Sequence, residues 1–370
     1  MGEGASGVAD MKIGMVAPPL GTASMTVAAS LSRNLARRGH DVHFIGHRSG
    51  TPYLAEDGVS EHVIDPSTCA TTDPPMHDLA LAAKIAAVAE EVKLDLIHVH
   101  AAIPHAVAAA LAIRILGAHP PKLVTTLHGA ELPLIASDLC LLGLARNGLD
   151  SSDAVTCVSD ALKRDVLQEF GPRRLHVIPD FLDTPPRTFK VGSSDRPAML
   201  HISNFRPGKR IDVVMETFKR VFREIPCDLL LVGDGPERAM ARELTRTLGL
   251  EASVKFLSGV ESYEALPEAD VFLLPSENES FGFAALAALA AGIPVVGSDA
   301  GGLPEVVKHA ECGYLLPVGD VEGLAERCCE ILRDKERRRE MGEAAQHRAQ
   351  SLFGAERVVG DFEDLYAGLM

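Results

Sequence analysis

The chain has 370 residues, more than one ordinary hydrophobic core organises, so two domains are expected. At 46% hydrophobic and 24% charged it has the composition of a water-soluble globular protein, and its formal net charge of -15 sets it against nucleic acid and anionic membrane surfaces as partners. Small anions stay open wherever cations cluster. The cysteines (Cys69, Cys140, Cys157, Cys227, Cys312, Cys328 and Cys329) show no CxxC and no regular spacing, which points away from a zinc site or a disulfide framework and toward a reducing cytoplasm. The longest apolar stretches are broken by Arg114, or by Gly292 and Pro294, before they reach a bilayer's width, and no basic-then-apolar leader opens the chain.

Residues 12–17 (KIGMVA) read as a short apolar strand, followed by PPLGTAS and a helical pattern from Met25 to Arg38 that stops at Gly39. DVHFIG is the next strand. This opening is Rossmann-like, although Gly21 stands alone where a phosphate loop has several glycines. LALAAKIAAVAEE is helical, LDLIHVH a buried strand, AIPHAVAAALAIRIL a helix, and LVTTLH a strand ending at His128. AVTCV repeats the strand pattern, with Ser159 placed to cap the helix that follows.

The stretch 179–197 is rich in proline and polar residues and reads as a linker. A second alternation follows: MLHISN, a helix from Asp212 to Glu224, CDLLLVGDGPE, a helix to Leu248, VKFLSG, a short helix, and VFLLP. Then comes SENESFGFAALAALAAGIPVVGSDAGG, a strand end, an acidic loop and a buried helix closed by Gly292 and Pro294. The expected fold is α/β with two Rossmann-like domains whose parallel sheets face each other across a cleft. Its divisions are 1–180, a linker 181–197, 198–355, and a last helix 356–370 that packs back on the first domain.

Several strand-end loops carry candidate chemistry. SNFRPGKR brings Arg206, Lys209 and Arg210 together, which suits a diphosphate and equally suits a solvated basic turn. Glu279 precedes a helix N-terminus, so a carboxylate for sugar hydroxyls sits beside a site favourable to phosphate. Gly233 and Gly235 in GDGPE are explained by turn chemistry or by a ligand loop. His128 at a strand end has a structural and a functional reading, and His98, His100 and His105 favour packing over a metal site.

On VTTLHGAE, HISNFRPGKR, LLLVGDGPE, SENESFGF and AGIPVVGSDAGGLPEVV the chain resembles the retaining glycosyltransferases of the GT-B fold. DLALAAKIAAVAEE and LDLIHVHAAIPHA match as well, and the HVHAAIPHA and SNFR segments narrow the resemblance to the branch that joins N-acetylglucosamine, from UDP-GlcNAc, to L-malate in bacillithiol biosynthesis. The resemblance runs from about residue 11 to the end.

It implies a reaction needing no metal or cofactor. His128 then contacts the donor sugar, Glu279 holds its hydroxyls, and Lys209 supports the leaving diphosphate. Gly21, Asn204, Arg206, Gly233, Gly235, Phe281 and Gly282 face the donor, as do the segments 233–236 and 256–259. Ser24, Thr126 and Arg206 face the acceptor. A homodimer is admitted but not required. The chain departs from the family pattern where a ribose-binding glutamate is replaced by Ala287, a loss expected to weaken donor binding by about 1.5–3 kcal/mol. It also departs at the GTAS loop, at Ala101, at Glu131 and at Ser159 to Ala161, most of them on the acceptor side.

Overall fold

The computed structural model describes residues 10–17, 22–46, 54, 57–64, 77–191, 196–257 and 265–370. The chain divides into two compact units, Met1–Asp180 with Ala355–Met370, and Phe181–Gly354.

The first unit is built on a seven-stranded parallel sheet. Its strands are β1 (Lys12–Val16), β2 (Asp41–Gly46), β3 (Ser60–Val63), β4 (Leu96–Val99), β5 (Lys122–Leu127), β6 (Ala154–Cys157) and β7 (His176–Val177), in the order β3-β2-β1-β4-β5-β6-β7. β4 and β6 are buried at every residue, as strands covered on both faces must be, which is why they read as unbroken apolar runs. Val16, Ile45, Ile97, Val99 and Leu123 pack with Ile85 and Val88 of the helix His77–Val92.

Two local features set the helix starts. Ser159 caps the helix Asp160–Phe170, its hydroxyl accepting from the Leu162 amide at 2.9 Å. The single helix expected after β4 is instead broken: Ala102–Ala106 forms a π turn in which Ile103 is extended, and the regular helix begins at Val107. Pro104 explains this, because its ring pushes the preceding residue out of the helical region and it offers no amide to the ladder.

The last helix, Ala355–Ala367, belongs to this unit and buries Val358, Val359, Phe362 and Tyr366. Glu363 secures it by pairing with Arg38 and with His40 Nε2 at 3.1 Å.

The second unit holds β9 (Ala198–Ile202), β10 (Asp228–Val232), β11 (Val254–Leu257), β13 (Val271–Leu274), β14 (Val295–Ser298) and β15 (Gly313–Leu316), parallel in the order β11-β10-β9-β13-β14-β15. Its core joins Met199, Leu229, Leu231, Leu273 and Val296 to Phe218 of the helix Ile211–Glu224 and to Leu324 and Ile331 of the helix Val321–Arg333. Part of the proline-rich stretch read as a linker is structured: β8 (Arg187–Phe189) pairs with β12 (Ala265–Pro267), and the Leu182 amide donates to the Phe353 carbonyl at 3.2 Å. Of the short helix expected before VFLLP, residues 258–264 lie outside the described ones, and residues 265–267 form β12 instead. Among the described residues, no helix is long and apolar enough to cross a membrane.

Candidate active site

In a parallel sheet, ligands gather at the carboxyl ends of the strands where the strand order reverses. In the second unit that point lies between β9 and β13, because β9 is flanked by β10 on one side and β13 on the other. The loops leaving these two strands are 203–210 and 275–282. They bring together Lys209 and Glu279, Nζ to Oε1 at 2.6 Å, and the Ser276 hydroxyl donates to the same oxygen at 2.7 Å. The Glu277 amide donates to the Gly208 carbonyl at 2.9 Å and stitches the loops together.

The shape of the first loop comes from buried packing beneath it. Phe205 is fully buried at φ 47° and Arg210 turns the chain again at φ 52° into the helix Ile211–Glu224. His201 lies underneath: its Nδ1–H donates to the Leu273 carbonyl at 2.9 Å and its Nε2 accepts from the Ser203 hydroxyl at 2.8 Å. Burial, reinforced by the nearby Lys209 cation and outweighing the Leu273 hydrogen bond and Glu279, lowers its pKa to about 4. At neutral pH it is an uncharged prop.

The cations of this loop divide their partners. Arg210 is held by Asp212 at 2.9 Å and by Glu277 at 3.4 Å, Lys209 is held by Glu279, and Arg206 and Asn204 are exposed. Gly282, at φ 96°, opens the helix Phe283–Ala290, whose first turn has no side-chain cap. Phe281 is buried and packs edge-on against Phe353, so only its backbone is available to a ligand.

Gly233 and Gly235 have a structural reason to be glycine. A β-carbon on either would overlap a backbone carbonyl oxygen of the β9 loop, that of Ser203 or of Asn204, and both have positive φ. Gly235→Ala is therefore expected to cost more than about 1 kcal/mol, seen as a lower urea midpoint. Gly171→Ala, with nothing within 4 Å, should cost less.

In the first unit, His128 follows β5 and is almost fully enclosed. Its Nδ1 lies 3.1 Å from Asp180 Oδ1, and its Nε2 lies 3.0 Å from His100 Nδ1. His100 Nε2 rests 3.2 Å from the Met15 sulfur. Burial lowers the His128 pKa, but the Asp180 carboxylate, with Glu131 further off, outweighs it and the net shift is upward. His100, which burial and its neighbours His98, His128 and His105 all push down, stays neutral. Beside it runs a second buried line: His98 contacts the Tyr366 hydroxyl and the Thr126 hydroxyl, each at 2.7 Å, and Thr126 meets Thr156 at 2.6 Å.

Residues 25–185 match the model of glycosyltransferase family 4, and residues 186–348 match that of glycosyl transferases group 1. Over 371 aligned residues the chain is 37% identical to N-acetyl-alpha-D-glucosaminyl L-malate synthase of Bacillus anthracis, with 96% of each chain covered. The chain belongs to this family of GT-B glycosyltransferases. A GDP-mannose-dependent phosphatidylinositol monomannoside mannosyltransferase of Mycobacterium tuberculosis is 29% identical over 60% of this chain and 63% of its own. Among solved structures, the Anabaena protein HepE in complex with UDP and glucose shares the fold, with a TM-score of 0.77 at 21% identity over 97% of this chain and 100% of that one. Sucrose-phosphate synthase from Thermosynechococcus elongatus does likewise, with a TM-score of 0.75 at 22% identity over 97% and 99%.

Within this glycosyltransferase the expected site residues fall unevenly. Gly21, and residues 258–259 of the segment 256–259, lie outside the described residues. Ser24 lies in the first turn of the helix Ala23–Arg37, its hydroxyl 3.1 Å from that of Thr22. Thr126, expected at the acceptor, is 1% exposed and shares its hydroxyl with His98 and Thr156 in the core of the first unit. Ala287 is 0% exposed in a helix buried on nearly every side, and the position of the missing carboxylate is packed as core.

Sequence reasoning passed over Asp180, Met15 and His201, whose partners His128, His100 and Leu273 are far away in the chain, and Ser276, whose partner Glu279 lies in its own loop. Only the spacing of His98 and His100, two apart on one face of the segment, carried a local signal. A cavity of ≈ 460 Å³ opens at the other, amino-terminal end of the second sheet, lined by Lys190, Asp228, Lys255 and Asp270. Its charges are largely satisfied by protein, Lys255 by Asp228 at 2.8 Å and Asp270 by Arg338 at 3.2 Å.

Proposed function

We propose that this glycosyltransferase moves N-acetylglucosamine from UDP-GlcNAc to the hydroxyl of L-malate, with retention of configuration and without a metal. The reaction is the first step of bacillithiol biosynthesis and takes place in the cytoplasm. The full-length relative carries the choice of substrates. The Lys209–Glu279 pair at the switch point supports the chemistry.

A nucleotide sugar brings a diphosphate and hydroxyls together, and can take one member of that pair with each. Glu279 accepts from sugar hydroxyls, while Lys209, with the exposed Arg206 and Asn204, faces the diphosphate. The bond between the anomeric carbon and the diphosphate oxygen breaks, and that carbon bonds to the malate hydroxyl on the same face. The malate proton goes to the departing diphosphate oxygen. Charge aimed at a leaving group in this way contributes a few kcal/mol per group, to order of magnitude.

The test is UDP release from UDP-GlcNAc with and without L-malate, in buffer containing a chelator. Malate-dependent release unaffected by the chelator is the expected result. Release only with other hydroxy acids or polyol phosphates would replace the acceptor. UDP binding without turnover would make the chain a nucleotide-sugar-binding protein, a reading that Ala287 favours.

A further inference from the structure

We infer that Asp180 and His100 hold His128 as an imidazolium, one N–H donated to His100 and the other set against the Asp180 carboxylate, so that Asp180 is a positioning residue for His128.

The assignment follows from counting donors and acceptors along a buried line. A thioether only accepts, so the contact between His100 Nε2 and the Met15 sulfur at 3.2 Å needs the His100 proton on Nε2. Were it on Nδ1, a bare nitrogen lone pair would face the sulfur between two buried side chains. Neutral His100 then offers a bare Nδ1 to His128. At 3.0 Å, His128 Nε2 must supply the proton between them.

On the other side of the ring, His128 Nδ1 lies 3.1 Å from a carboxylate oxygen, which also only accepts. Neither that nitrogen nor Asp180 Oδ1 has a hydrogen-bond partner, and Asp180 is 4% exposed, so a neutral ring would leave the enclosed carboxylate facing no opposite charge at 3.1 Å. The contact is bent, and its attraction is chiefly that of opposite charges. Both nitrogens of His128 therefore carry protons. The other titratable groups facing this cluster agree: Glu131 adds negative charge near His128, while His98 and His105 add to the pressure that keeps His100 neutral.

His128 thus exchanges no proton with a substrate while Asp180 is ionised. It keeps a fixed orientation at the end of β5 and a charge balanced by Asp180. Only the activity measurement below rests on the function proposed above.

Nitrogen-15 NMR of histidine-labelled full-length protein, with His128 assigned from His128→Gln, tests this directly. At pH 7 both His128 nitrogens should give protonated signals. Asp180→Asn should move the titration midpoint of His128 down by about 1–3 pH units. Met15→Leu, of similar volume, frees the His100 proton to move to Nδ1 and should also lower the midpoint. In a UDP-release assay, the alkaline limb of the pH profile should fall with Asp180→Asn by the same interval. A bare His128 nitrogen in the unmodified protein at pH 7, or a midpoint unmoved by Asp180→Asn, overturns the inference whether or not the protein transfers N-acetylglucosamine. Failed transfer with the NMR result intact counts against the substrates alone.

Discussion

Lys209→Ala and Glu279→Gln are each expected to lower malate-dependent UDP release by about 10²- to 10³-fold, the effect of removing one group aimed at developing charge. Lys209 Nζ and the Ser276 hydroxyl both donate to Glu279 Oε1 at the switch point, and neither member of the ion pair stands in for the other. Lys209→Ala leaves Glu279 only the Ser276 hydroxyl on that oxygen, while Glu279→Gln keeps the shape and removes the charge. The fold should survive. The side chains are 24% and 12% exposed, so Lys209→Ala leaves a largely enclosed carboxylate unpaired and should lower the melting temperature by several degrees, more than Glu279→Gln does. Near-normal turnover in both variants would remove the site from these loops.

The largest stability effect is expected at Tyr366, which ties the last helix to the first sheet. Its hydroxyl meets His98 Nδ1 at 2.7 Å, and both side chains are buried. Tyr366→Phe leaves that nitrogen without a partner and should cost about 1–3 kcal/mol. Tyr366→Ala adds a cavity and should cost about 3–5 kcal/mol, as other aromatic truncations do. Urea titration read on the first unit measures both.

The pH dependence has a definite sign. Burial, with His128 nearby, lowers the His98 pKa to about 3, so the unfolded chain binds a proton there before the folded one does. Its stabilisation is complete above pH about 6.5 and is lost as the pH falls toward 3. A stability curve flat between those limits would mean that His98 is not held neutral in the core.

The alternation of strands and helices was legible because it is written locally. Short apolar runs such as LDLIHVH and VFLLP suit strands covered on both faces, and Gly292 stops a helix by taking φ 78°. Lys209 and Glu279 were visible for a similar reason, each lying in the loop directly after an apolar strand. What tertiary structure alone decided is which side chains meet. β9 lies next to β13, and β1 next to β4, so Lys209 reaches Glu279 and Met15 reaches His100 across long intervals of chain. Asp180, after β7, reaches His128 past the intervening β6, and Tyr366 reaches His98 from the last helix. The hydroxyl contacts of Thr126 with His98 and Thr156 likewise join residues of three different strands. Local spacing sets backbone periodicity, whereas hydrogen-bond partners depend on strand order, and in a parallel sheet strand order departs from chain order wherever a crossover intervenes.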